Sequence, residues 1–272
     1  MTDYKYYEAS PHEIQSKALW PMILGVLLVA TSFLLPPYGG AAWVQQYGEL
    51  TAPVIALSDS VKTAGAGLIT VLCVALLATR RRLSSQYRIK EAVALIGAVI
   101  IFAAGGAMVN ENTIKPIFES PRPNVVWLAT QQASSEAGFS VDAYHARELA
   151  TDRARFMQSA INALGTDVPK AIGQHWVSEP GYSLPSGHAF ASFFIATFFV
   201  FFATSFVSTR RHLLFYLLIP WAVMVSYSRV FLNAHRPLDV TLGAIQGLAI
   251  GILAWLVARW IVRKLVHSEI GA

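Results

Sequence analysis

Apolar positions in this chain gather into long runs. They cover residues 19–35, a run ending at Thr79, then 92–109, 189–207, about 213–231, and 240–258. An α-helix rises about 1.5 Å per residue, so each run approaches the length needed to cross a hydrocarbon layer about 30 Å thick. The pattern predicts an all-α polytopic membrane protein with six transmembrane helices. Pro36-Pro37 closes the first helix, and Arg80-Arg81-Arg82 bounds the second, whose start is blurred by Asp59 and Lys62. The first run is long for the core of a signal peptide, and Asp3, Glu8 and Glu13 precede it where such a peptide is basic, so it reads as a span.

The polar stretch between the third and fourth runs, about 110–187, is long enough to carry structure of its own. Within it, "YHARELATDRARFMQSAINALG" sets Leu149, Phe156, Met157, Ala160, Ile161 and Leu164 at helical spacing and ends on Gly165. This predicts a helical insert packed over its own protein rather than a helix lying in the lipid interface. Gly243, Gly247 and Gly251 recur every fourth residue along the sixth helix, a small-residue stripe suited to close packing inside the bundle. Residues 1–272 read as one integral-membrane domain, with no internal repeat and no obligate protein partner expected.

Charge sets the expected orientation. Arg80 to Lys90 lie between helices two and three, Arg210 and Arg211 between four and five, and Arg263 and Lys264 after six. Alternate connections are therefore basic, which predicts that they and both termini face the cytoplasm and that the insert and residues 228–239 face outside.

Composition narrows the chemistry. The chain of 272 residues is 54% hydrophobic and 14% charged, with a net charge of +5. Its arginines flank apolar runs, so nucleic acid is not an expected partner. Cys73 is the only cysteine, which excludes an internal disulfide and a thiolate metal site. The seven histidines (12, 145, 175, 188, 212, 235 and 267) form no ligand pair of the HExxH kind, so neither metal nor cofactor is expected.

Three polar clusters then stand out against the apolar background. "KPIFESPRP" carries Lys115 and Arg122, "PSGH" spans Pro185 to His188, and "SRVFLNAHRPLD" holds Ser228, Arg229, His235 and Asp239. Ionisable groups at membrane depth are costly and by default mark function. The predicted topology brings all three to one side. Lys115, Arg122 and Arg229 supply positive charge, and the two guanidiniums match phosphate oxygens bidentately. Ser186 and Gly187, ahead of a helix, can aim free N–H groups at an anion. His235 and Asp239 fall on one face if the sixth helix begins nearby with Pro237 in its first turn. His188 comes from a different helix and can approach a bound phosphate from another side.

In order and completeness, K-x6-RP, PSGH and SR-x5-H-x3-D resemble the three-part signature of the type 2 phosphatidic acid phosphatase superfamily. "ESPRPNVVWL" and "QHWVSEPGYSLPSGH" look like its bacterial phosphatidylglycerophosphate phosphatase branch; the likeness covers about 115–239, while the first hundred residues agree only in hydropathy. The resemblance implies hydrolysis of phosphatidylglycerophosphate, undecaprenyl diphosphate and related lipid phosphates, in a bacterial inner membrane. It implies His235 as nucleophile through a phosphohistidine, Asp239 as the group that orients it, and His188 as acid and then base. Lys115, Arg122, Ser186, Gly187 and Arg229 are implied to bind the phosphate. Trp127, His175 and Trp176, which flank the motifs, are expected as interfacial anchors or as substrate contacts.

Other readings use the same residues. A vanadate-dependent haloperoxidase shares the site but is usually soluble. A lipid phosphotransferase would need the same groups, and only its products separate it from a hydrolase. A lipid-phosphate or anion transporter would set its charges near the midplane between repeats, whereas these lie at helix ends.

Overall fold

A computed structural model describes residues 7–35, 50–79, 84–132, 138–164, 168–208 and 210–270. Pro36-Pro37, Arg80–Arg82 and Gly165, invoked above as stops and charge markers, lie outside the described residues. The described residues are helical and turn structure without strand.

Among the described residues, five helices are long and apolar enough to cross a membrane: α1 (Pro11–Leu34), α4 (Ser85–Phe118), α9 (Gly187–Phe206), α10 (Arg210–Phe231) and α11 (Pro237–Ile270). The second expected span is a broken pair, α2 (Thr51–Asp59) and α3 (Thr63–Ala78), bent by 64° and passing the same test only together. The break has local causes. Asp59 pairs with Lys62 at 2.7 Å, Ser60 Oγ donates back to the Leu57 carbonyl at 2.6 Å, and Lys62 is extended. The Ser60 hydroxyl offers the backbone an alternative to the helical ladder, and the ion pair ties the two sides of the break together.

Several helices begin or end beyond the apolar runs that announced them. α1 starts at Pro11 rather than Leu19: Ser10 caps it, Glu13 returns the capping bond at 3.0 Å, and Pro11 fits the first turn. α4 runs on through a π-helical stretch, Asn110–Ile114, to Phe118, so Lys115 belongs to the helix and not to a loop after it. The insert correspondingly shrinks to about 119–186.

α9 is the axis of the bundle. Of residues 189–206 only Ala191 is not buried, and Phe190, Phe194, Phe198 and Phe202 stack along one face at ring separations of 6.1 to 6.3 Å. α11 lies tightly against it. A Cβ on Gly243 would come within 2.5 Å of the Ser186 carbonyl oxygen, and one on Gly247 would strike that of Phe190. The stripe of small residues thus packs within the bundle, as expected. On the outside, Leu27, Leu68, Val93, Ile101 and Leu253 are exposed, the outward apolar surface of a protein whose solvent is lipid.

The insert holds α5 (Pro123–Gln131), α6 (Val141–His145), α7 (Ala150–Ala163) and α8 (Lys170–Val177). They close over a second core that includes Leu128, Tyr144, Met157, Ile161, Ile172 and Trp176. The predicted amphipathic helix is α7, with Met157, Ala160 and Ile161 buried against this core. Leu149 precedes it and is exposed. Leu232 and Ala234, from the turn joining α10 to α11, belong to the same core. The insert therefore grips the segment that leads to His235.

Candidate active site

The α10–α11 turn is built to present one imidazole. Asn233 takes a left-handed φ of 54°, and the N–H groups of Ala234 and His235 donate back to the Arg229 carbonyl at 3.1 and 3.2 Å. Asn124 N–H holds the Asn233 carbonyl at 2.9 Å, and the Trp176 indole holds that of Leu232 at 2.7 Å. α11 then starts at Pro237, three residues earlier than its apolar run. Asp239, in the first turn, accepts from the Arg236 N–H at 2.8 Å. His235 Nδ1 lies 3.7 Å from Asp239 Oδ2, which is ion-pair range rather than a hydrogen bond.

Arg122 reaches this turn from the other side of the site. As N-cap of α5 it projects where Nε donates to the Gly181 carbonyl at 2.8 Å. Its Nη1 faces Glu179 at 3.1 Å, His235 Nε2 at 3.2 Å and the Ala234 carbonyl at 3.3 Å, three acceptors for two protons. A guanidinium only donates, so His235 Nε2 is an acceptor there and the neutral ring carries its proton on Nδ1, toward Asp239. Burial pushes His235 far below the usual imidazole range, and the charges of Arg122, Arg229 and Lys115 push the same way. Its Nε2 lone pair is thus free of a proton at neutral pH.

The serine of PSGH is a cap. Ser186 Oγ accepts from Ala189 N–H at 3.4 Å, while the Ser186 N–H donates to the Asp239 carbonyl at 2.9 Å and ties the second cluster to the third. Gly187 opens α9, and a Cβ there would meet nothing within 4 Å. His188, one residue on, sets Nε2 at 3.7 Å from Glu179 Oε1. Lys115 is buried, paired with Glu111, and near enough to Arg122 and Glu179 for their charges to interact. The three clusters, more than a hundred residues apart at their extremes, meet in one place.

Glu179 is at the centre, and sequence reasoning did not single it out. Its carboxylate accepts from Arg122 and from Arg229 Nη2, with His188 and His175 Nε2 at 3.7 and 3.6 Å. Burial alone would raise its carboxyl; the guanidiniums of Arg229 and Arg122 outweigh that and hold it far below the ordinary carboxylate range. The signal was available in principle: two buried arginines need a buried anion, and Glu179 is an acid within the quoted QHWVSEPGYSLPSGH stretch. Ser58 and His175 were missed too, as the partners of Arg229. The expectation that Trp176 and His175 anchor at the membrane interface is corrected, since both are buried within the protein. Among the described residues no group of three or more His, Cys, Asp or Glu side chains could hold a metal.

The residues that build this site lie in a stretch similar to known proteins. The PAP2 superfamily matches residues 91–263, which contain all three clusters. Phosphatidylglycerophosphatase B of Escherichia coli (strain K12) is 28% identical over 178 residues, covering 64% of this chain and 65% of that protein. The protein of the same name from Haemophilus influenzae is 32% identical over 151 residues, 53% of this chain and 54% of its own length. The chain thus spans less than two thirds of the length of these curated relatives.

Proposed function

The chain belongs to the PAP2 superfamily, and from that premise we propose that it is a membrane lipid phosphatase working without a metal through a phosphohistidine. One observation carries the reading: two buried guanidiniums converge on a single anion position, now held by Glu179, with the His235 and His188 imidazoles beside it. A phosphate monoester presents the same charge and oxygens to such a cradle.

The steps balance as follows. His235 Nε2 attacks phosphorus, the P–O bond to the lipid breaks, and His188 gives its proton to the departing oxygen. Asp239 stabilises the positive ring that results. Water then loses a proton to His188 and attacks the phosphohistidine, releasing inorganic phosphate and restoring both rings. Lys115, Arg122 and Arg229, with the Gly187 N–H at the helix start that Ser186 caps, neutralise charge on the phosphoryl oxygens throughout.

The names of the relatives support phosphatidylglycerophosphate as substrate, and the apolar surround supports lipid mono- and diphosphates more broadly, undecaprenyl diphosphate included. The basic connections support an arrangement with termini in the cytoplasm of a bacterium and the site facing outward. Purified protein given a panel of lipid phosphates and diphosphates should release inorganic phosphate, and His235→Ala should release none while remaining folded. Substantial turnover by that variant, or transfer of the phosphoryl group to a second lipid instead of water, would overturn the proposal.

A further inference from the structure

The guanidinium of Arg229 is gripped from behind by groups outside the three sequence clusters. Arg229 is wholly buried at the end of α10. Its Nη1 donates to Ser58 Oγ at 2.6 Å and to His175 Nε2 at 2.8 Å, which uses both protons of that nitrogen. Nη2 reaches Glu179, and Nε finds no partner among the described residues. A guanidinium can offer an anion either its two terminal nitrogens or the Nε–Nη2 edge. With Nη1 engaged from the rear, the Nε–Nη2 edge is left for the anion.

The two acceptors are themselves held. His175 must accept through Nε2, since arginine only donates, so its ring proton sits on Nδ1, which faces Asp59 Oδ1 at 3.9 Å. Burial keeps His175 neutral, down to about 4, against the pull of Glu179. Ser58 is buried and occupies the last turn of α2, beside the bend of the second span. Next to it, Ser60 Oγ accepts from the Trp221 indole at 2.9 Å and pins that bend to α10. Ser58 and Asp59 are thus the last residues of α2 before the 64° break, and α2 packs against both α10, which carries Arg229, and α8, which carries His175. Ser58 and Asp59 both lie outside the residues matched to the family.

We infer that Ser58 and His175 are positioning residues that fix the Nε–Nη2 edge of Arg229 toward the substrate phosphate, which makes the bent second span a working part of the site. The inference rests on the proposed phosphatase reading. It concerns anion recognition, so its signature is the affinity for a small phosphate-like anion rather than overall fold.

Inhibition of the purified full chain by orthovanadate provides the test, with thermal stability measured alongside. Ser58→Ala and His175→Phe each leave a buried N–H of Arg229 unpaired and free the guanidinium to turn. Each should weaken orthovanadate inhibition about tenfold, the size of losing one charge-assisted hydrogen bond. His175→Gln returns an acceptor near the Nε2 position and should recover most of what His175→Phe loses. Should His175→Phe fail to fold, Ser58→Ala, which removes a single oxygen, decides alone. Unchanged inhibition in Ser58→Ala, or a His175→Gln variant no better than His175→Phe at equal stability, overturns the inference while leaving the phosphatase reading intact. A wild type that neither hydrolyses lipid phosphates nor responds to vanadate removes both.

Discussion

Glu179 fills the position that the proposed function assigns to the substrate phosphate, which makes Glu179→Gln an informative perturbation. The carboxylate accepts from Arg122 at 3.1 Å and from Arg229, and both arginines are buried. Glutamine keeps the shape but loses the charge. Its carbonyl oxygen can still accept from one side of the arginine pair, while its NH₂ turns to the His175 and His188 rings, so what is removed is the counter-charge of two buried guanidiniums. One hydrogen bond to a charged group contributes about 1.5–3 kcal/mol, and removing one partner of a buried pair costs about 3–5 kcal/mol. Glu179→Gln should therefore destabilise the unliganded protein by a few kcal/mol. The same change removes the competitor for the cradle, so an incoming anion recovers much of that loss. At about 1.4 kcal/mol per tenfold, even half of it tightens orthovanadate binding at least tenfold. Inhibition constants for wild type and variant, measured on a common lipid phosphate, read this directly. The thermal shift produced by saturating phosphate should also be larger in the variant. Equal or weaker vanadate inhibition in Glu179→Gln would show that the carboxylate does not share the phosphate position, and the reasoning would fail.

Three further outcomes are expected. Trp176 packs in the second core and holds the Leu232 carbonyl, so Trp176→Phe should lower stability by about 1 kcal/mol through the lost bond and slow long-chain, short-chain and soluble esters in equal proportion; a shift in chain-length preference would instead make it a lipid contact. His175 and His235 are buried and kept neutral, with folded values below the unfolded value of about 6.5, so the unfolded chain binds protons first as pH falls. Stability should decline below about pH 6.5, and His175→Gln should flatten the slope in a pH series of denaturant melts; an unaltered slope would rule out its contribution. Ser178 and Ser84 are both exposed, so an impermeant thiol reagent applied to intact spheroplasts should label Ser178→Cys and spare Ser84→Cys, whereas the reverse pattern would place the site in the cytoplasm.

Hydropathy alone determined the helices, because a hydrocarbon solvent forces backbone polar groups to pair within each segment and so leaves runs of apolar residues as its record. It marked the core of each long helix but not the ends. Ser10, Asn110–Ile114 and Pro237 extend helices through caps and irregular turns that carry no apolar signal. The bend at Ser58–Lys62 was equally hidden, since polar residues inside an apolar run fix neither the presence nor the angle of a break. The joint occurrence of the three clusters, read through their resemblance to a phosphatase signature, was enough to single out Lys115, Arg122, His188, Arg229, His235 and Asp239 as the expected site. What only the tertiary structure decided was their partners. Glu179 answers two arginines from separate helices, and Ser58 meets Arg229 across 171 positions of sequence, through contacts that cost nothing in local pattern and so leave no local trace. A buried charge demands a counter-charge or an acceptor, but which residue supplies it depends on how the helices pack.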